Sequence, residues 1–129
     1  MEKMQKLIEV AQELGWDVDM ESQKGHDGNT EHYIELAQHS PAGEDFCFTV
    51  FAEDAADFVR KVCEFYFEFD PDEHVEKLVA AKHNGLQGVP SVSVLIDDSE
   101  AIDAMLLELK DALFDSYFMR RMKNEHKDV

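Results

Sequence analysis

Between Asp45 and Glu76 the hydrophobic period of the chain changes once and is interrupted once, and those two events leave few folds open. Phe46–Phe51 is an apolar, β-prone run. After a turn at Ala52–Asp54 the apolar residues recur at helical spacing, with Ala55, Phe58, Val59, Val62, Cys63 and Tyr66 on one stripe. The helix expected from about Asp54 to Phe69 stops at Asp70-Pro71, and a second begins at once. Asp70 suits the N-cap, Pro71 the first helical position, where its missing N–H costs nothing, and Glu73 the reciprocal arm of a capping box. Six of the nine phenylalanines fall between Phe46 and Phe67, and Phe69 follows. A core of large rings is expected to centre here, each buried ring removing roughly 150–250 Å² from water.

Upstream, Met4, Leu7, Ile8, Ala11 and Leu14 mark one face of a helix over Glu2–Leu14, and Gly15 is placed to end it in a left-handed conformation. Trp16–Ser22 alternates: Trp16, Val18 and Met20 point one way, Asp17, Asp19 and Glu21 the other. Residues 23–30, QKGHDGNT, read as a loop, and Glu31–Gln38 as a strand with Ile34 and Leu36 inward. Ser40–Gly43 reads as the turn into the third strand. The helix that starts at Pro71 runs to about His83 and ends at Asn84-Gly85, and residues 86–90 connect to a long helical segment from Ser91. Asp97-Asp98-Ser99-Glu100 has the composition of a helix start and leaves open a break there. Beyond it Ile102, Met105, Leu106, Leu109, Ala112, Leu113 and Tyr117 form a stripe. Arg120, Arg121 and Lys123 follow, where a helix dipole favours bases.

The resulting order is α-β-β-β-α-α-α, an α+β fold with a small three-stranded antiparallel sheet covered by helices. One domain is expected over 1–129, fraying from about 124. The first five elements follow the order of a double-stranded-RNA-binding domain. Such domains open their last helix on a lysine cluster, whereas this one opens on Glu53, Asp54 and Asp57.

Charge sets the partners. The 129 residues carry 29 acids and 12 bases, a net charge of −17. Four bases, Arg120, Arg121, Lys123 and Lys127, fall in the last ten residues, leaving 27 acids against 8 bases over residues 1–119. Such a surface repels nucleic acid and anionic membranes and attracts basic protein surfaces. Met1–Leu14 is amphipathic rather than a continuous apolar run, and no window approaches the ~20 apolar residues of a membrane span. A cytoplasmic protein is expected.

Catalytic signatures are not apparent. His26, His32 and His39 with Asp27 lack the spacing of a metal site, and there is neither HExxH nor CxxC. There is no GxSxG elbow, and Gly25, Gly28, Gly85 and Gly88 form no phosphate-binding loop. The acid pairs Glu44-Asp45, Glu53-Asp54 and Asp97-Asp98 would place any Mg²⁺ nuclease centre in a field that repels its substrate. Cys47, in the apolar strand, and Cys63, on the helix stripe, read as buried, reduced thiols, and His74 as a surface residue. No enzyme, metal or cofactor is expected.

The acids are the remaining candidate. Asp17, Asp19 and Glu21 recur on one strand face at about 6.6–6.8 Å, close to the roughly 7 Å between phosphates along one nucleic-acid strand. Glu53, Asp54 and Asp57, then Glu64, Glu68, Asp72, Glu73 and Glu76, are positioned to extend that array. The alternative is a solvated surface that serves solubility.

At HSPAGEDFCF (His39–Phe48), FDPDEHVEKLVAAKHNG (Phe69–Gly85) and GVPSV (Gly88–Val92) the chain resembles a group of small acidic proteins of unknown role, often encoded on mobile elements of gut bacteria. The likeness covers about residues 31–113. It implies no catalytic residues. Its setting implies an anti-defence role, such as inhibition of a CRISPR effector or restriction enzyme. The expected function is therefore non-enzymatic binding to a basic surface on a nucleic-acid-handling protein. The alternative is a structural or regulatory interaction domain that makes contact through aromatic helix surfaces.

Overall fold

The computed structural model describes residues 2–25, 27–41, 45–83 and 92–119. Along the chain run α1 (Glu2–Glu13), β1 (Asp17–Lys24), β2 (Thr30–His39), β3 (Asp45–Ala52), α2 (Ala55–Glu68), α3 (Pro71–His83) and α4 (Val92–Phe114). A π-helical end, Asp115–Met119, follows. The order α-β-β-β-α-α-α and the three-stranded antiparallel sheet β1-β2-β3 agree with the sequence pattern.

The end of α1 fixes how the chain enters the sheet. Gly15 takes φ +98. Its N–H reaches the Gln12 carbonyl at 3.0 Å, and the Trp16 N–H reaches the Ala11 carbonyl at 3.1 Å, the paired bonds of a Schellman motif. A side chain at Gly15 would also collide with Gln38, whose Nε2 lies 2.7 Å from where a Cβ would sit. Trp16 is thereby folded into the core, edge-on to Phe46 and Phe48.

Strand parity then sorts the sheet into two faces. Val18, Leu36 and Phe48 form one inward row, and Met20, Ile34 and Val50 the next. They join one buried cluster with Met4, Leu7, Ile8 and Ala11 of α1 and with Phe58, Val59 and Val62 of α2. The α4 stripe of Ile102, Leu106, Leu109 and Leu113 completes it. Phe48 stacks on Phe65 at 4.2 Å, and Phe65 reaches Phe69. The expected ring-rich core is therefore present, but it excludes Phe51 and Phe67, which are 52% and 75% exposed. Both lie off the inward parity or stripe of their own element.

One point the sequence left open is resolved, and one further expectation is corrected. The acids and serine near Asp97 do not break α4, which is continuous from Val92 to Phe114. Asp98 is 3% exposed and accepts a hydrogen bond from Ser40 Oγ at 2.8 Å, and Ser99 Oγ donates to the Pro71 carbonyl at 2.7 Å. These polar residues link α4 to the end of β2 and the start of α3, against which α4 packs. His74 is not a surface residue: it is half-buried, edge-on to Phe46 and 5.6 Å from the Phe69 ring. The expectations for Asn84-Gly85, residues 86–90, Arg120, Arg121 and Lys123 lie outside the described residues.

The start of α3 follows its sequence signal. The Asp70 carboxylate accepts the Asp72 N–H at 3.0 Å, and the first helical bond runs from the His74 N–H to the Asp70 carbonyl. Glu73, expected as the return arm of the box, pairs with Lys77 at 3.0 Å. Replacing Asp70 by Ala is expected to cost about 0.5–2 kcal/mol. Equilibrium denaturation checks this, and an unchanged midpoint would show that the cap contributes nothing.

Candidate functional site

Helices cover one face of the sheet, so the residues of opposite parity face water. The register places Asp17, Ala37 and Cys47 in one outer row, Asp19, Glu35 and Thr49 in the next, and Glu21, Tyr33 and Phe51 in a third. Glu31 and Gln23 follow, and His39 faces Asp45 at the other end. All six carboxylates of the three strands, Asp17, Asp19, Glu21, Glu31, Glu35 and Asp45, thus share one face. The single strand lysine, Lys24, has the inward parity. Asp45 pairs with His39. Among the described residues, Asp17, Asp19, Glu21, Glu31 and Glu35 make no ion pair with a base.

This arrangement carries a stability cost. Asp19 lies directly opposite Glu35 in the ladder, and Asp17 and Glu21 are the diagonal neighbours of Glu35. Like charges facing each other across two strands destabilise a sheet. Tyr33 and Phe51 interrupt the acids with an edge-to-face ring pair, centroids 5.1 Å apart. Glu31, Glu35 and the two rings were not among the expected site residues. Their signal was the parity of β2: with Ile34 and Leu36 inward, residues 31, 33 and 35 must point out.

The acids expected to extend the row divide into two other groups. Asp54 is the N-cap of α2, and its carboxylate accepts the Asp57 N–H at 2.8 Å. The Asp57 carboxylate accepts the Glu53 N–H at 3.0 Å and also holds Arg60, raising the Arg60 pKa chiefly through that hydrogen bond. Asp54 and Asp57 therefore hold the corner between β3 and α2, satisfying N–H groups that a helix start leaves open. Glu64, Glu68, Asp72, Glu73 and Glu76 are exposed on α2 and α3, in the helical layer that backs the sheet. Asp17, Asp19 and Glu21 are exposed as expected, but on the open face, so the eleven acids do not make one band.

A cavity of about 520 Å³ opens at the end of the sheet between the starts of α1 and α2. Glu2, Lys3, His32, Glu53, Asp54 and Tyr117 contribute to its lining. His32, 6% exposed, bonds through Nδ1 to Ser22 Oγ at 2.7 Å. Among the described residues no carboxylate orients this ring, so the pair lacks the third member of a nucleophilic triad. No group of three metal-ligating side chains occurs among the described residues, of which His26 is not one. No described helix is long and apolar enough to cross a membrane. Comparison with family models, curated proteins and solved structures found no match.

Cys47 corrects an expectation. It shares the outer parity with Thr49 and Phe51 and is exposed, its Sγ 3.8 Å from a Glu35 carboxylate oxygen. Cys63 is half-buried, and that burial pushes its thiol pKa up, with Asp111 and Glu64 adding to the shift and Lys110 opposing it. A small neutral thiol reagent under native conditions is expected to label Cys47 well before Cys63, because burial limits access to Cys63 and raises its thiol pKa. Equal rates for Cys47→Ala and Cys63→Ala variants would contradict this placement.

Proposed function

We propose that this chain is a non-enzymatic cytoplasmic binding protein that uses the open acidic face of its sheet to dock against a basic surface of a nucleic-acid-handling protein. The reading is carried by how the charge is sorted. Six strand carboxylates share the uncovered face without a lysine or arginine, and two of them sit directly opposite each other. Solubility asks only for charge, and acids interspersed with bases would supply it without like charges facing across a ladder. A function for the summed field accounts for the arrangement. Rows at about 6.6–6.8 Å along a strand present negative charge at nearly the repeat of a phosphate backbone. Such a face steers a basic partner toward it and rejects nucleic acid itself.

The Tyr33–Phe51 pair supplies what charge alone does not, an aromatic anchor of the kind that dominates interface energies. In this proposal the partner is a nucleic-acid-binding effector such as a host defence nuclease, held off by occupation of its nucleic-acid channel.

One observation favours a different contact surface. Phe67, Phe114 and Phe118 are exposed on the helical layer, and Phe114 and Phe118 pack on each other at 4.8 Å. A regulatory interaction domain would use such a patch and keep its acids for solubility.

The two readings respond oppositely to salt and to mutation. Host proteins captured on the immobilised chain at low salt should release as salt is raised and be displaced by duplex DNA. Capture should fail for the triple variant Asp17→Lys, Asp19→Lys, Glu21→Lys and persist for Glu64→Lys with Glu68→Lys. Capture that survives both high salt and the triple variant, and is lost on Phe114→Ser with Phe118→Ser, would replace the acidic face with the aromatic one.

A further inference from the structure

The open face has a second property, at its margin. β1 is an edge strand, hydrogen-bonded to β2 on one side only. It is eight residues long, its register with β2 runs unbroken from Asp17 to Lys24, and it contains no proline. Every second residue of such a strand turns its N–H and C=O away from its neighbour. Among the described residues no group bonds to β1 backbone on that outer side. Natural edges of this length are usually shortened, bulged, interrupted by proline or covered, because they are templates for another strand. The protection here is charge alone: Asp17, Asp19 and Glu21.

That protection is selective. A second copy pairing through β1 would set one row of acids against another, which the ladder penalises. A basic strand meets the reverse situation. Side chains at alternate positions on an added strand fall opposite Asp17, Asp19 and Glu21, on the same face and at the same spacing. The residues between them fall beside Val18 and Met20, which are only half-buried at the margin of the core. The edge thus suits an extended segment that alternates Lys or Arg with β-branched apolar residues. β3, the other edge, has only Asp45, which His39 already occupies, so it offers no such complement.

We infer that β1 accepts an extended basic segment of the partner as a fourth strand, so that the partner is recognised by main-chain hydrogen bonds along Asp17–Lys24 as well as by charge. This rests on the acidic-face reading and deepens it. The added strand extends the sheet, and its alternation distinguishes it from basic sequences of the same charge in any order.

The probe is a synthetic peptide of alternating Lys and Val, acetylated and amidated, titrated into the whole chain by fluorescence anisotropy. Two derivatives carry N-methyl groups on alternate amides, one for each parity, which leaves charge unchanged and blocks one hydrogen-bonding edge of the peptide at a time. One derivative should bind like the parent, and the other should bind about tenfold or more weakly, since several main-chain bonds are lost together. Amide exchange should slow at alternate residues of 17–24. Neutralising Asp17, Asp19 and Glu21 to Asn, Asn and Gln should weaken the parent and flatten its salt dependence. Equal, salt-sensitive binding of both derivatives overturns the strand addition and leaves the acidic-face reading standing. Strand addition is likewise overturned if the peptide fails to bind while the Asp17, Asp19, Glu21 charge reversal still abolishes capture of a basic partner. Failure of both experiments removes the acidic face as well.

Discussion

Helices packed on a three-stranded sheet seal one of its faces, and strand parity then sends every second residue to the face left in water. The rest of this molecule depends on that division. Ile34 and Leu36 on the central strand are fully buried, and Phe58 from α2 and Leu106, Leu109 and Leu113 from α4 are buried in the same cluster. Burying a side chain of this size contributes roughly 1.5–3 kcal/mol, so the inward register of β2 is strongly fixed. A slip by one residue would bring Glu35 inward and turn Leu36 out. The outward positions of Glu31, Tyr33 and Glu35 are consequences of the same packing.

With the register fixed, the outer face could have been neutral, mixed or single-signed. It is single-signed. Among the described residues Arg60 pairs with Asp57, Lys77 with Glu73 and Lys110 with Asp111, and Lys110 also lies over the Tyr66 and Phe67 rings. Ion pairs among the described residues are few in both layers; what sets the sheet face apart is that its outward strand positions carry no lysine or arginine and set Asp19 directly opposite Glu35. That sorting is the physical basis for assigning a role to the sheet face rather than to the net charge as a whole.

Most of the fold was legible in the sequence because each element's period agreed with its end signals. Gly15 after an amphipathic helix, the Trp16–Ser22 alternation and Asp70-Pro71 each have one dominant local solution, and the structure adopts it. What was not legible depended on partners distant in sequence. Cys47 reads as buried because it lies in the apolar run Phe46–Phe51; only the fact that helices cover one side of the sheet puts Cys47 and Phe51 in water. Asp98 reads as a helix-start residue until Ser40, 58 residues away, is seen to donate to it. Asp54 and Asp57 read as members of the acidic array, whereas the structure uses them to hold the start of α2. Of the site, the β1 row was visible from alternation, whereas the juxtaposition of Asp19 and Glu35 needed the β1–β2 register.

The role assigned to the sheet face turns on Asp19 and Glu35 repelling each other across the β1–β2 ladder. A double-mutant cycle for stability between Asp19→Asn and Glu35→Gln measures this directly. The coupling between the two carboxylates should be unfavourable, about 0.2–1 kcal/mol at low salt, and should fade as salt is raised. A coupling that is favourable, or zero at every ionic strength, would mean that the two acids do not face each other across an open sheet, and the acidic face would lose its basis.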